Sequence, residues 1–201
     1  MDVLLPSGGR GPAVLVAHPW WGLNDTIRAY GASLAEAGFV VGLPDVFIGE
    51  IVTQIDDAEK LIRKHWEAAG SRLTGPLREL LAHDAVTGTT AGAVGFSFGG
   101  YHLLEAIADP GLPLNRLVTY YATHSMPERH VPVLAHFAED DPFESAADMA
   151  ALSAALKSAG PPNASHYYAG TKHWFAEADR PEYDSAAAKL AFERTVAFLR
   201  G

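Results

Sequence analysis

The chain has 201 residues, 48% of them hydrophobic, enough for one substantial core and short for two, so a single domain over residues 1–201 is expected. Its 24 acidic and 15 basic residues leave a formal charge of −9, and the basic residues form no run or stripe, which argues against nucleic acid as a partner. With no cysteine in the sequence, disulfides, thiolate metal sites and a thiol nucleophile are all excluded.

In chain order, the first residues, Met1-Asp2-Val3-Leu4-Leu5-Pro6, carry neither the basic region nor the apolar run of a signal peptide. No later apolar run reaches the roughly 20 residues that span a bilayer. A cytoplasmic protein with no membrane contact is expected. A first strand is predicted over 13–18, then a helix over 25–37 closed by Gly38, then a strand over 39–43. Residues 46–74 break this rhythm. They read as helical and charged from Asp56 to Lys64 and as loosely patterned around Trp66 to Gly70, so an excursion from the sheet is expected there, one that could form part of a lid.

Further strands are predicted over 91–96, 117–121, 133–137 and 165–168. Helices are predicted over 145–158, capped by Ser145 and closed near Gly160, and over 183–199. Short apolar runs alternating with helical patterns mark an α/β chain, a mostly parallel central sheet flanked by helices. There is no internal repeat and no linker.

The segment Gly95-Phe96-Ser97-Phe98-Gly99 carries the chemistry, because it joins an apolar strand to a helix through Gly-x-Ser-x-Gly. A turn that sharp crowds the residues two before and two after the serine, so both must lack a side chain. It lifts the Ser97 hydroxyl above the sheet and leaves the Phe98 amide, at the start of the following helix, aimed at a developing oxyanion.

A serine hydroxyl needs a base, and the base needs an orienting group. The expected order is serine, acid, histidine. The strand over 133–137 runs into Glu139, Asp140 and Asp141, three carboxylates that residue chemistry alone does not separate. The last strand is followed by His173, which fits the base. His124 and His130 have neither the spacing nor the carboxylate company of a metal site, so no metal and no cofactor is expected.

The ordered set of segments resembles the dienelactone hydrolase family of α/β-hydrolases. It comprises Ala17-His18-Pro19-Trp20-Trp21-Gly22, Gly42-Leu43-Pro44-Asp45, the Ser97 elbow, Tyr120-Tyr121, Asp141-Pro142-Phe143 and His173-Trp174-Phe175. The resemblance implies the α/β-hydrolase fold and takes Asp141, just before Pro-Phe, as the catalytic acid. It draws the second oxyanion donor from the Trp20 amide and lines a small apolar pocket with Trp20, Trp21, Phe98, Tyr120 and Trp174.

Three positions depart from the family pattern. Its nucleophilic cysteine is Ser97 here, the glutamate that helps activate the thiol is replaced by Pro19, and an arginine that holds a substrate carboxylate is replaced by Glu177. The expected activity is hydrolysis of a small uncharged carboxylic ester or lactone through an acyl-serine, with Ser97, Asp141 and His173 as the triad. The alternatives are a general carboxylesterase or thioesterase and a hydrolase-fold protein that only binds a small ligand. A monomer or a homodimer fits equally.

Overall fold

Along the strand Gly11–Ala17, successive side chains leave the backbone on opposite sides, and both sides are buried: Ala13, Leu15 and Ala17 join one apolar cluster, Val14 and Val16 another. A strand with two buried faces must have helices on both, which is the reason for its near-continuous apolar sequence. The computed structural model describes residues 1–127 and 131–201; His130 lies outside them.

The elements run β1 Asp2–Leu4, β2 Gly11–Ala17, α1 Asp25–Glu36, β3 Val40–Leu43, α2 Ile55–Leu81, β4 Val86–Phe96, α3 Phe98–Ala106, β5 Leu114–Tyr120, β6 Val133–Asp140, α4 Ala146–Ala159, β7 Ala164–Lys172 and α5 Ser185–Arg200. The strands form one sheet in the order β1-β3-β2-β4-β5-β6-β7. Only β1 runs antiparallel to its neighbour; the other pairs are parallel. This is a single α/β-hydrolase domain with a largely parallel sheet. Helices α2, α3 and α4 send Leu73, Leu77, Leu103, Met149 and Leu152 into one cluster, while α1 and α5 send Ile27, Leu34 and Ala191 into the other. Among the described residues, no helix is long and apolar enough to cross a membrane.

The helix starts follow local chemistry. The side chains of Asn24, Ser145 and Asp184 accept from the Ile27, Asp148 and Ala186 amides, satisfying first-turn donors that have no partner within the helix. Two expectations are corrected. Residues 46–74 do not leave the sheet as a loose excursion: α2 is continuous for 27 residues and buries Leu61, His65, Ala69, Leu73 and Leu77 along one face. That face repeats every four residues, but Gly70, Gly75 and Pro76 obscure it in the sequence, since each is a poor helix residue that tertiary packing here overrides. The strand expected over 91–96 begins at Val86, and β1 has no counterpart among the predicted strands.

Candidate active site

At the carboxyl end of β4, in the middle of the sheet, the chain turns through Ser97 into α3. Ser97 sits at φ 46° and ψ −114°, in a region that side chains rarely occupy. The two flanking glycines make this possible. A Cβ on Gly95 would lie 2.5 Å from the Gly100 Cα, and one on Gly99 would lie 2.7 Å from both the Ala17 Cβ and the His18 carbonyl oxygen. The Ser97 amide donates to the Tyr120 carbonyl at 2.9 Å, tying the turn to β5. Replacing Gly99 with Ala is expected to cost about 2–3 kcal/mol, because the nearest atoms belong to the end of β2 and cannot swing aside; urea unfolding followed by circular dichroism measures it.

His173 follows β7 and reaches Ser97 Oγ through Nε2 at 3.0 Å. Its Nδ1 lies 2.8 Å from both oxygens of Asp141, whose side chain is fully buried. Asp141 Oδ1 also accepts the Phe143 and Glu144 amides at 2.9 and 3.0 Å, so the loop after β6 holds the carboxylate in place. The other two acids of this segment have different fates. Glu139 accepts from the Gly170 amide at 2.8 Å, and Asp140 is exposed, 4.0 Å from Lys172 Nζ. The imidazole is walled by Tyr121 and Phe143, with ring centroids 4.7 and 5.0 Å away.

The loop after β2 carries Trp20. It is anchored by the wholly buried His18, whose Nδ1 is 2.6 Å from the Pro19 carbonyl and whose Nε2 is 3.0 Å from the Val46 amide. A carbonyl only accepts and an amide only donates, so His18 is neutral, with its proton on Nδ1. Burial holds its pKa down at about 4 in spite of the Pro19 bond and Asp45.

Ser97 and His173 open into a cavity of about 200 Å³ lined also by Trp20, Ile62, Trp66, Phe98, Tyr101, Phe143 and Glu144. Of the five expected wall residues, Trp20 and Phe98 line this cavity, and Trp21, Tyr120 and Trp174 do not. Tyr120 lies fully buried on the α1/α5 face, stacked on Phe96, its hydroxyl sharing hydrogen bonds with Thr195 and Tyr30. Strand alternation turns it away from the cavity. Trp21 is buried in the same cluster beneath the Arg180 guanidinium, 4.2 Å from its ring. Trp174 packs behind His173 and against Trp20, supporting the wall rather than forming it.

Ile62, Trp66, Tyr101, Phe143 and Glu144 were missed. Tyr101 stands one helical turn after Ser97 and Trp66 one turn after Ile62, spacings that place each pair on one helix face. The first of these was legible from the elbow alone. Glu177 is wholly buried and accepts from the Tyr121 hydroxyl at 2.8 Å. Burial pushes its pKa up to about 8, against the Tyr121 bond. Among the described residues, no group of three or more histidines and carboxylates is arranged to hold a metal ion.

A family model for the dienelactone hydrolase family matches residues 2–201. The chain is 30% identical over 212 residues to the carboxymethylenebutenolidase of Rhodococcus opacus, covering 95% of this chain and 81% of that protein. It is 26% identical over 209 residues to the carboxymethylenebutenolidase of Pseudomonas putida, covering 96% and 87%. The fold superposes on a dienelactone hydrolase-like promiscuous phosphotriesterase from metagenomic libraries with a TM-score of 0.83 at 24% identity, covering 98% of this chain and 90% of that one.

Proposed function

The chain belongs to the dienelactone hydrolase family, and from that premise we propose that it hydrolyses a small uncharged carboxylic ester or lactone through an acyl-enzyme on Ser97. The observation that carries this reading is the 3.0 Å contact between His173 Nε2 and Ser97 Oγ, with Asp141 on the other ring nitrogen. His173 takes the hydroxyl proton as Ser97 Oγ attacks the carbonyl carbon. The Asp141 carboxylate keeps the remaining proton on Nδ1 and stabilises the imidazolium. Negative charge on the former carbonyl oxygen is met by the Phe98 amide, at the start of α3, and by the Trp20 amide. Each donor is worth about 3 kcal/mol in the transition state.

Collapse of the tetrahedral species expels the alkoxide, which His173 protonates. Water then enters by the same route and releases the acid. The cavity of about 200 Å³ falls below the roughly 300–1,000 Å³ of sites that hold drug-sized ligands, which suits a short acyl or alkoxy group. No lysine or arginine lines it among the described residues, in keeping with an uncharged reacting group.

The test is a fluorophosphonate label run beside hydrolysis of short-chain p-nitrophenyl esters and simple lactones. Phosphonylation is expected at Ser97 and nowhere else, mapped by peptide mass spectrometry, with loss of turnover in proportion to labelling. Turnover that persists after Ser97 is fully labelled overturns the mechanism.

A further inference from the structure

One part of the cavity wall is chemically unlike the rest. Trp20, Ile62, Trp66, Phe98, Tyr101 and Phe143 present rings or aliphatic carbon, and Glu144 brings a carboxyl into the same space as Ser97 and His173. Its position is held from two sides: its amide donates to Asp141 Oδ1 at 3.0 Å, and the Thr123 hydroxyl donates to its Oε2. Among the described residues, Thr123 alone bonds this carboxyl. Burial, with Asp141 and Asp148 nearby, pushes it up to about 7 despite Thr123. A carboxyl bonded by one residue in a largely apolar wall regains lost solvation from any donor that enters, and an anion entering beside it is repelled.

We propose, resting on the hydrolase reading above, that Glu144 is a specificity-determining residue. It favours substrates that place a hydrogen-bond donor, a hydroxyl or an ammonium, against it, and it disfavours substrates that place a carboxylate there. The reacting ester stays uncharged, and the selection acts on the group it carries into the Glu144 wall. No lysine or arginine lines the cavity among the described residues to reverse the sign.

The test uses four para-substituted phenylboronic acids, with ethyl, hydroxymethyl, aminomethyl and carboxylate groups, titrated into the protein by calorimetry at about pH 8, where Glu144 is ionised. On binding, the Ser97 oxygen adds to boron and its proton passes to His173, so binding reports on the site without turnover. The wild type is expected to prefer the aminomethyl over the carboxylate probe about tenfold or more, and Glu144→Gln to reduce that ratio about tenfold. The amide of that variant keeps an acceptor for Thr123 and loses only the charge. Glu144→Asp keeps the charge but withdraws it by one methylene, and is expected to restore part of the preference; it also carries the test if the Glu144→Gln variant does not fold.

An aminomethyl-to-carboxylate ratio that is the same in wild type and variants, with the ethyl probe still bound, overturns the specificity role and leaves the hydrolase reading intact. An ethyl probe that does not bind the wild type, or binds Ser97→Ala equally well, removes the nucleophile and the inference with it.

Discussion

Ser97→Ala is expected to lower kcat/KM for the best ester by about 10⁴- to 10⁶-fold while leaving the fold unchanged. Only the hydroxyl is removed, and its contact outside the elbow is the 3.0 Å approach of His173. Asp141→Asn keeps the volume and still bonds the imidazole, but it offers a donor where the ring presents one, so it favours the wrong tautomer and is expected to cost about 10⁴-fold. In the proposed mechanism the three residues act as one unit, so the Ser97→Ala/Asp141→Asn double variant should be no slower than Ser97→Ala alone. Initial rates on the ester panel, with circular dichroism as a check on folding, decide this. A double variant much slower than either parent would show that Asp141 acts independently of Ser97.

The second large effect is on stability and concerns Glu177. Unfolded, its carboxyl ionises near 4.5; folded, burial beside Tyr121 moves this to about 8. The folded state therefore holds the proton more tightly, so the stability Glu177 contributes is complete below about pH 4.5 and is lost as the pH rises toward 8, at up to about 1.4 kcal/mol per unit. Glu144, raised to about 7, has the same sign. His18, lowered from 6.5 to about 4, has the opposite one: its contribution is complete above 6.5 and is lost as the pH falls. The buried His136, also lowered, acts in the same direction as His18.

Between about pH 4.5 and 6.5 these slopes oppose one another, and outside that window stability should fall on both sides. Glu177→Gln keeps an acceptor for the Tyr121 hydroxyl and removes the charge. It should lie within about 1 kcal/mol of the wild type near pH 5 and gain about 3–4 kcal/mol on it between there and pH 8. Urea midpoints at both pH values measure this, and a variant offset that is the same at both would mean that Glu177 does not titrate in that range.

Much of the architecture was legible in the amino-acid order, because its causes are short in range. Buried parallel strands need apolar residues on both faces, so 13–18, 39–43 and 133–137 stand out. Asn24 and Ser145 mark helix starts by their own side chains. The elbow is visible because Gly95 and Gly99 answer a clash between atoms only a few residues apart or at the end of a neighbouring strand. A strand as short as β1 has too few residues to show a pattern, and α2 hides a regular buried face behind Gly70, Gly75 and Pro76.

The walls of the site were decided elsewhere. Tyr120 was expected at the cavity and lies on the other face of the sheet, because one residue of register exchanges the two faces of a strand. Ile62 and Trp66 reach the cavity only because α2 packs along the sheet from β3 to β4, and Phe143 and Glu144 only because the loop after β6 closes on Asp141. By itself the sequence determined most of the strands, the turn and the order in which serine, acid and histidine arrive, since local sterics and hydrophobic periodicity act between near neighbours. Which side chains face one another across the cavity was settled by tertiary structure alone, since it depends on packing between elements far apart in the chain.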